Sequence, residues 1–239
     1  MLSYDSPVPL PKTNSAKMGS ANTANLGPNP KPITTATMTH APHVSSTTAQ
    51  NSNVATRHHH IWLVTGPAGC GKSTVAAHLS EALGFPYLEG DEFHPKANID
   101  KMASGQPLTD SDRWDWLTVL REASLKKLAE GADGVVLTCS ALKRKYRDVI
   151  RVAPYYSHDV VLHFVYLHAP EEVLIQRVGA RKGHYMGASM VHSQFSILEP
   201  PTAEETDVIS IDVSSTMDEV QRNALDQVLQ KMGEDAPSS

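Results

Sequence analysis

A short apolar run, Ile61 to Thr65, stops at a glycine and leads into Gly66-Pro67-Ala68-Gly69-Cys70-Gly71-Lys72-Ser73. After it, Val75, Leu79 and Leu83 fall on one helical face, and Gly84 follows. Apolar residues three to four apart mark a helix that buries one side, and a glycine just past such a stripe is a common stop. The order is strand, loop, helix, with the helix over about 72 to 83. The eight residues of the loop fit G-x-x-x-x-G-K-[ST] at every fixed position. Glycine is needed there because successive backbone N–H groups must turn inward and approach phosphate oxygens closely, where side chains would obstruct them. The helix that opens near Gly71 adds the positive end of its dipole.

Further strands are expected at Phe85 to Leu88, Gly134 to Cys139, Val160 to Leu167 and Val208 to Val213, with helical stretches between most of them. Five strands joined by crossovers imply a parallel sheet in an α/β fold. Thr109 with Asp112 forms an acidic variant of a capping box and predicts a helix over about 110 to 130, carrying Leu117, Leu120, Ser124 and Leu128 before Gly131. Pro170, Glu171 and Glu172 suit a first helical turn, and Thr216 with Glu219 caps a C-terminal helix. Fraying is expected after about Met232, leaving 233–239 as a tail.

The chain of 239 residues carries a net charge of −5 and two cysteines, Cys70 and Cys139. A disulfide framework is therefore unsupported, and no run of apolar residues is long enough for a membrane span. The composition changes near residue 57. Residues 1–57 hold seven of the sixteen prolines, sixteen Ser/Thr and one aromatic residue, so this leader is expected to be disordered. The other 182 residues hold 17 basic and 25 acidic groups, a balance of −8, which opposes a nucleic-acid-binding role. The folded domain that carries the phosphate loop is expected over 58–232. The leader lacks a secretory h-region, which favours a cytoplasmic location over organelle import. His58-His59-His60 resembles a short metal-binding tract but lacks spaced partners, and is read as a solvated strand entrance.

In the loop, Lys72 is expected to reach the β- and γ-phosphates of a nucleotide and Ser73 to ligate Mg²⁺, with Thr74 touching the α-phosphate. Cys70 reads either as a thiol activated by the helix terminus or as a filler of a variable position. The strand ending at Ser140 carries no Asp and no N-K-x-D pattern occurs, which weakens motor-ATPase and GTPase readings. Acids do end the second strand, in Glu89-Gly90-Asp91, and strand C-termini border the ligand crevice of such sheets. Asp91 is a candidate to orient an acceptor hydroxyl and take its proton, or alternatively a helix cap. Glu89 is a candidate metal support, with the same ambiguity.

Residues 91 to 117 include His94-Pro95, Asn98, Lys101-Met102, Gly105, Pro107-Leu108, Asp110, Asp112-Arg113 and Trp116-Leu117. Further on come Cys139-Ser140-Ala141-Leu142-Lys143, Tyr146-Arg147-Asp148, Arg181-Lys182-Gly183-His184, Gln194-Phe195, Leu198-Glu199-Pro200 and Glu205-Thr206-Asp207. Together with the phosphate loop, these elements resemble gluconokinases from about residue 60 to about 230. The resemblance implies a P-loop fold similar to nucleoside monophosphate kinases, a three-layer sandwich with a five-stranded parallel sheet and a small lid. It implies ATP and Mg²⁺ as cofactors and phosphorylation of D-gluconate to 6-phospho-D-gluconate, which feeds the pentose phosphate pathway. A homodimer is implied too, with neither nucleic acid nor membrane as partner. The departures are Cys70 where serine is frequent, Glu89 where aspartate is frequent, and Asp115 where proline is common.

A sugar acid needs a cation for its carboxylate and polar groups for its hydroxyls. Arg113, Lys143 and Arg147 are the candidate cations and His94 a candidate hydroxyl partner, each otherwise a surface group. Arg177, Arg181, Lys182 and His184 cluster before the segment Tyr185 to Gln194, which reads as a lid. Arg181 or Arg177 is expected over the transferring phosphoryl group, with one of the two alternatively on the adenine of the nucleotide, and His184 on the acceptor; the other reading is a solvated basic helix end. Two other functions fit the loop alone: an ATP-binding regulatory module, and a polynucleotide 5′-hydroxyl kinase, which the acidic domain opposes.

Overall fold

The computed structural model describes residues 58–156, 159–180 and 188–236. The leader, the tip 237–239 and the candidates Arg181 and His184 lie outside the described residues. Five strands form one parallel sheet: β1 (His59–Thr65), β2 (Tyr87–Leu88), β3 (Gly134–Thr138), β4 (Val160–His168) and β5 (Val208–Asp212). Their spatial order is β2-β3-β1-β4-β5. Because β1 is central and its neighbours lie on opposite sides of it, the chain reverses direction across the sheet at the C-terminal end of β1. A crevice opens at such a switch point, and the phosphate-loop motif follows there.

Helices close both faces. On one, Trp62, Val64, Val136, Val165 and Leu167 pack with Val75 and Leu79 of α1 (Lys72–Leu83). Val220, Ala224 and Val228 complete that core, although the helix that carries them is the last in the chain. On the other face, Ile61, Leu63, Val135, Leu137, Leu162 and Phe164 meet Trp116, Leu117, Leu120, Tyr146 and Ile150. Alternate residues of the central strands thus enter opposite cores, and the strands read as continuous apolar runs because neither face sees water. The remaining helices are α2 (Lys96–Ala103), α3 (Trp114–Ala129), α4 (Arg144–Arg151), α5 (Glu171–Ala180), α6 (Ala188–Ile197) and α7 (Met217–Glu234). Among the described residues no helix is long and apolar enough to cross a membrane.

The expected boundaries shift where local hydrogen bonding wins. The second strand shrinks to Tyr87–Leu88 because the Phe85 N–H donates back to the Ser80 carbonyl at 3.1 Å and Pro86 has no N–H to offer a ladder. The helix expected over 110–130 begins as a 3₁₀ turn, Ser111–Arg113, and α3 proper starts at Trp114. Asp112 accepts the Thr109 N–H (2.6 Å), the bond the cap pattern assigns to it, and the Lys101 ammonium (2.6 Å) on the same oxygen. Thr216 and Glu219 do form the reciprocal cap of α7. That helix runs beyond the expected fraying point, to Glu234, and the Asp235 carboxylate that follows accepts from His163 Nε2 at 2.6 Å. The strand entrance is not solvated at His60, which is 6% exposed.

Candidate active site

The phosphate loop starts where β1 ends. Gly66 has φ +140°, and a Cβ there would lie 2.3 Å from the Leu167 carbonyl, so only glycine lets β1 turn beside β4. Ala68 and Cys70 point into the core and Pro67 is buried beside them, leaving the backbone of the loop as its working surface. Burial pushes the Cys70 thiol up, against the pull of Lys72, so it is the filler and not an activated nucleophile. Lys72 donates to the Pro67 carbonyl at 3.1 Å across the mouth of the loop, and Ser73 and Thr74 are exposed on the first turn of α1. The Ala68 N–H donates to Gln194 Oε1 at 2.7 Å, tying α6 to the loop.

Glu89, just past β2, sits at the same edge. Its carboxylate accepts from the Tyr87 and Thr138 hydroxyls. Burial alone would raise its pKa, yet the hydrogen bonds of Thr138, Tyr87 and Ser73, with Lys72 nearby, hold it below the ordinary carboxylate value. An ionised carboxylate therefore faces the Ser73 hydroxyl. Hard oxygen donors in this pairing suit Mg²⁺, and the substitution of Glu for the more frequent Asp keeps that donor class.

Asp91 lies one residue beyond a rigid joint. The Gly90 N–H donates to Thr138 Oγ1 at 3.0 Å, its carbonyl accepts from Trp116 Nε1 at 2.7 Å, and a Cβ would stand 1.9 Å from the Thr138 carbonyl. The Asp91 side chain itself is exposed to the crevice edge. Beside it, His94 stacks on Trp116 with ring centroids 4.0 Å apart, and its Nδ1 lies 3.4 Å from Asn98 Nδ2. Burial depresses the His94 pKa against the pull of Asp91, which favours a neutral imidazole. The thiol of Cys139, at the end of β3, senses three of the candidates together. Burial is the main cause that lifts it to about 12; Asp91 acts in the same direction, while a hydrogen bond from the Ala141 backbone, Lys72 and Arg113 pull it down.

Arg113 donates to the Leu108 carbonyl at 3.2 Å and lies 5.5 Å above the Tyr146 ring, and its buried Nε has no hydrogen-bond partner. Lys143 contacts Asp110 at 3.0 Å, and the same carboxylate accepts from Lys145 and from the Tyr146 hydroxyl. Arg147 does not join them. It is 1% exposed, donates twice to Glu205 at 2.7 Å and also to the Ala141 and Glu199 carbonyls. With every nitrogen engaged, four of its five N–H bonds committed and the group buried, it is turned away from solvent, and it holds β3's exit against the segment before β5. At the far side, Arg177 of α5 donates to the Val213 and Ser215 carbonyls after β5, while its buried Nη1 has no partner.

Several contributors were not singled out as site residues from sequence. Thr138 serves Glu89 and Gly90 at once, Trp116 braces the joint and stacks on His94, and Asp110 gathers three donors. Trp116 and Asp110 stood among the motif residues, whereas Thr138 looks like any β-branched strand residue.

The chain matches the model of the AAA domain family over residues 61–196. It is 50% identical over 176 residues to a probable gluconokinase of Schizosaccharomyces pombe, covering 73% of this chain and 91% of that protein. The chain belongs to the gluconokinase family. A thermoresistant gluconokinase of Escherichia coli is 38% identical over 71% of this chain and 94% of its own length. The crystal structure of a gluconokinase from Sinorhizobium meliloti superposes with a TM-score of 0.65 at 40% identity, over 74% of this chain and 96% of that one. Gluconokinase-family membership agrees with the parallel sheet and with the phosphate loop at its switch point.

Proposed function

We propose that this chain is a gluconokinase that moves the γ-phosphoryl group of ATP to the 6-hydroxyl of D-gluconate. The observation that carries this reading is the phosphate loop at the end of β1, with Lys72 across its mouth, beside the carboxylate of Glu89 that Thr138 of β3 holds and the Gly90 joint that sets Asp91 at the same edge. It supplies a phosphate cation, a metal-type carboxylate and an acceptor-side carboxylate at one end of the sheet. The loop amides and Lys72 bind the triphosphate, and Thr74 is near the α-phosphate. Ser73 and Glu89 are the oxygen donors for Mg²⁺, which when bound neutralises phosphate charge.

Arg113, with a buried donor unused, takes the gluconate carboxylate, assisted by Lys143, and neutral His94 faces the hydroxyls. Asp91 orients the acceptor hydroxyl. As the bond from that oxygen to the γ-phosphorus forms and the bond to the β,γ-bridging oxygen breaks, the hydroxyl proton passes to Asp91. Most of the acceleration comes from alignment and charge stabilisation. Arg177 is assigned to the nucleotide side, Arg181 to the transferring phosphoryl group and His184 to the acceptor.

ADP release measured with Mg-ATP and a panel of acceptors tests the proposal. Turnover is expected with gluconate and not with shikimate, nucleoside monophosphates or a 5′-hydroxyl oligonucleotide. Tight ATP binding with no acceptor-dependent turnover would instead favour a regulatory module. Sedimentation equilibrium tests the homodimer that the family reading carries with it.

A further inference from the structure

At the N-terminal edge of the sheet, away from the phosphate loop, three ligand-type side chains from three elements meet. His60 enters from β1, His163 from β4, and Asp235 from the C-terminal end of α7. The parallel register pairs Trp62 with His163, so His60 and His163 lie on the same face of the sheet, on a diagonal. His163 stacks on Trp62 with centroids 4.8 Å apart, and the His60 and His163 rings are 6.3 Å apart and nearly parallel. Both histidines are more than nine-tenths buried.

One ligand atom from each of the three lies within 4.8 Å of the other two. His163 Nε2 is 2.6 Å and His60 Nδ1 3.9 Å from the same Asp235 oxygen. A tetrahedral zinc with bonds of about 2.0–2.1 Å spaces its ligand atoms by about 3.3 Å, midway between those two separations. The Nδ1 of His60 is buried with no hydrogen-bond partner, which is costly for a ring nitrogen and needs a reason. A cavity of about 150 Å³ adjoins it, lined by His58, His60, Phe85, Asp133, Met232 and Asp235. His58 Nδ1 is also buried and unpartnered.

We propose that His60, His163 and Asp235 form a binding site for a divalent transition-metal ion of the zinc type, with the cavity beside His58 open to a fourth ligand. Two imidazoles and one carboxylate form a zinc-like donor set, whereas Mg²⁺ prefers oxygen and retains its waters. The site is therefore chemically separate from the Mg²⁺ that serves ATP. Lys231, whose ammonium is 3.6 Å from the other Asp235 oxygen, is the local competing cation. The bound ion would clamp the end of α7 to the two central strands.

The test uses the full chain stripped with chelator, then titrated with Zn²⁺ or Mg²⁺ by calorimetry and followed by thermal unfolding. One Zn²⁺ per chain is expected, with Tm raised by about 5–10 °C at a hundredfold excess over Kd and no shift with Mg²⁺. His60→Gln and Asp235→Asn should each weaken Zn²⁺ binding at least about tenfold. Their metal-free circular dichroism should match the parent. His60→Gln removes a ring that has no hydrogen bond at Nδ1 to lose, so it keeps the test readable if Asp235→Asn unfolds. Absence of stoichiometric Zn²⁺ binding, or undiminished binding in His60→Gln, overturns the proposal.

Discussion

Lys72 reaches across its own loop to the Pro67 carbonyl, so its ammonium already points over the place where a triphosphate would lie. Removing it should cost transition-state stabilisation: Lys72→Ala is expected to lower kcat by about 10²–10³, read by steady-state ADP release with gluconate. Asp91 is placed by Gly90 and not by any contact of its carboxylate with the loop. Asp91→Asn is accordingly expected to cut kcat by about 10²–10⁴ while KM for ATP holds, and unchanged turnover would strike it from the catalytic set. The placement of both residues was legible in sequence, because a phosphate loop and an acid after the next strand have few places to go in a parallel sheet. Arg147 was not. Its position after β3 suggests a cation on an exposed helix face, and nothing local signals that Glu205, far along the chain, arrives to occupy it. Cys70 was readable either way until its burial decided the matter.

Among elements, α4 and the segment before β5 are joined by a cluster of charges. Arg147 and Arg151 both bind Glu205, and Arg151 also reaches Asp207 at 2.8 Å. Burial would raise the Glu205 pKa, but the two guanidiniums hold it at about 2, against an ordinary 4.5. A depressed carboxylate stabilises the fold fully above its unfolded value and loses that contribution as pH falls through the folded one. Stability is therefore expected to decline between about pH 4.5 and 2, and Glu205→Gln should flatten that limb. At neutral pH the same substitution leaves buried guanidinium charge uncompensated and should cost roughly 3–5 kcal/mol in urea unfolding. The strands themselves were visible from apolar runs, and α1 was bounded correctly by its glycines. The helix expected from about 110 opens as the 3₁₀ turn Ser111–Arg113 before α3 proper, and Asp112 accepts the Thr109 N–H that the cap pattern assigns to it.

For the whole molecule, every group assigned to the reaction except Arg181 and His184 lies in the described part of the 58–236 span, and the phosphate loop begins eight residues into it. A chain beginning at His58 is expected to fold and to keep kcat and KM for gluconate, measured beside the full chain; failure to fold would give the leader a structural task. The architecture was legible because strand, loop and helix recur with two distinct periods, which leaves little choice beyond a crossover sheet. The pairing of the acceptor side was less so, since its contacts join residues 90, 116 and 138 through hydrogen bonds with no periodic signature.

Asp110 has a consequence of its own. Because it accepts from Lys143, Lys145 and Tyr146 at once, the two ammonium groups have surrendered part of their hydration before any sugar acid enters. If Lys143 takes the sugar acid as proposed, the arriving carboxylate would trade places with a resident anion instead of stripping water from bare cations, and Asp110 offsets the mutual repulsion of the neighbouring lysines.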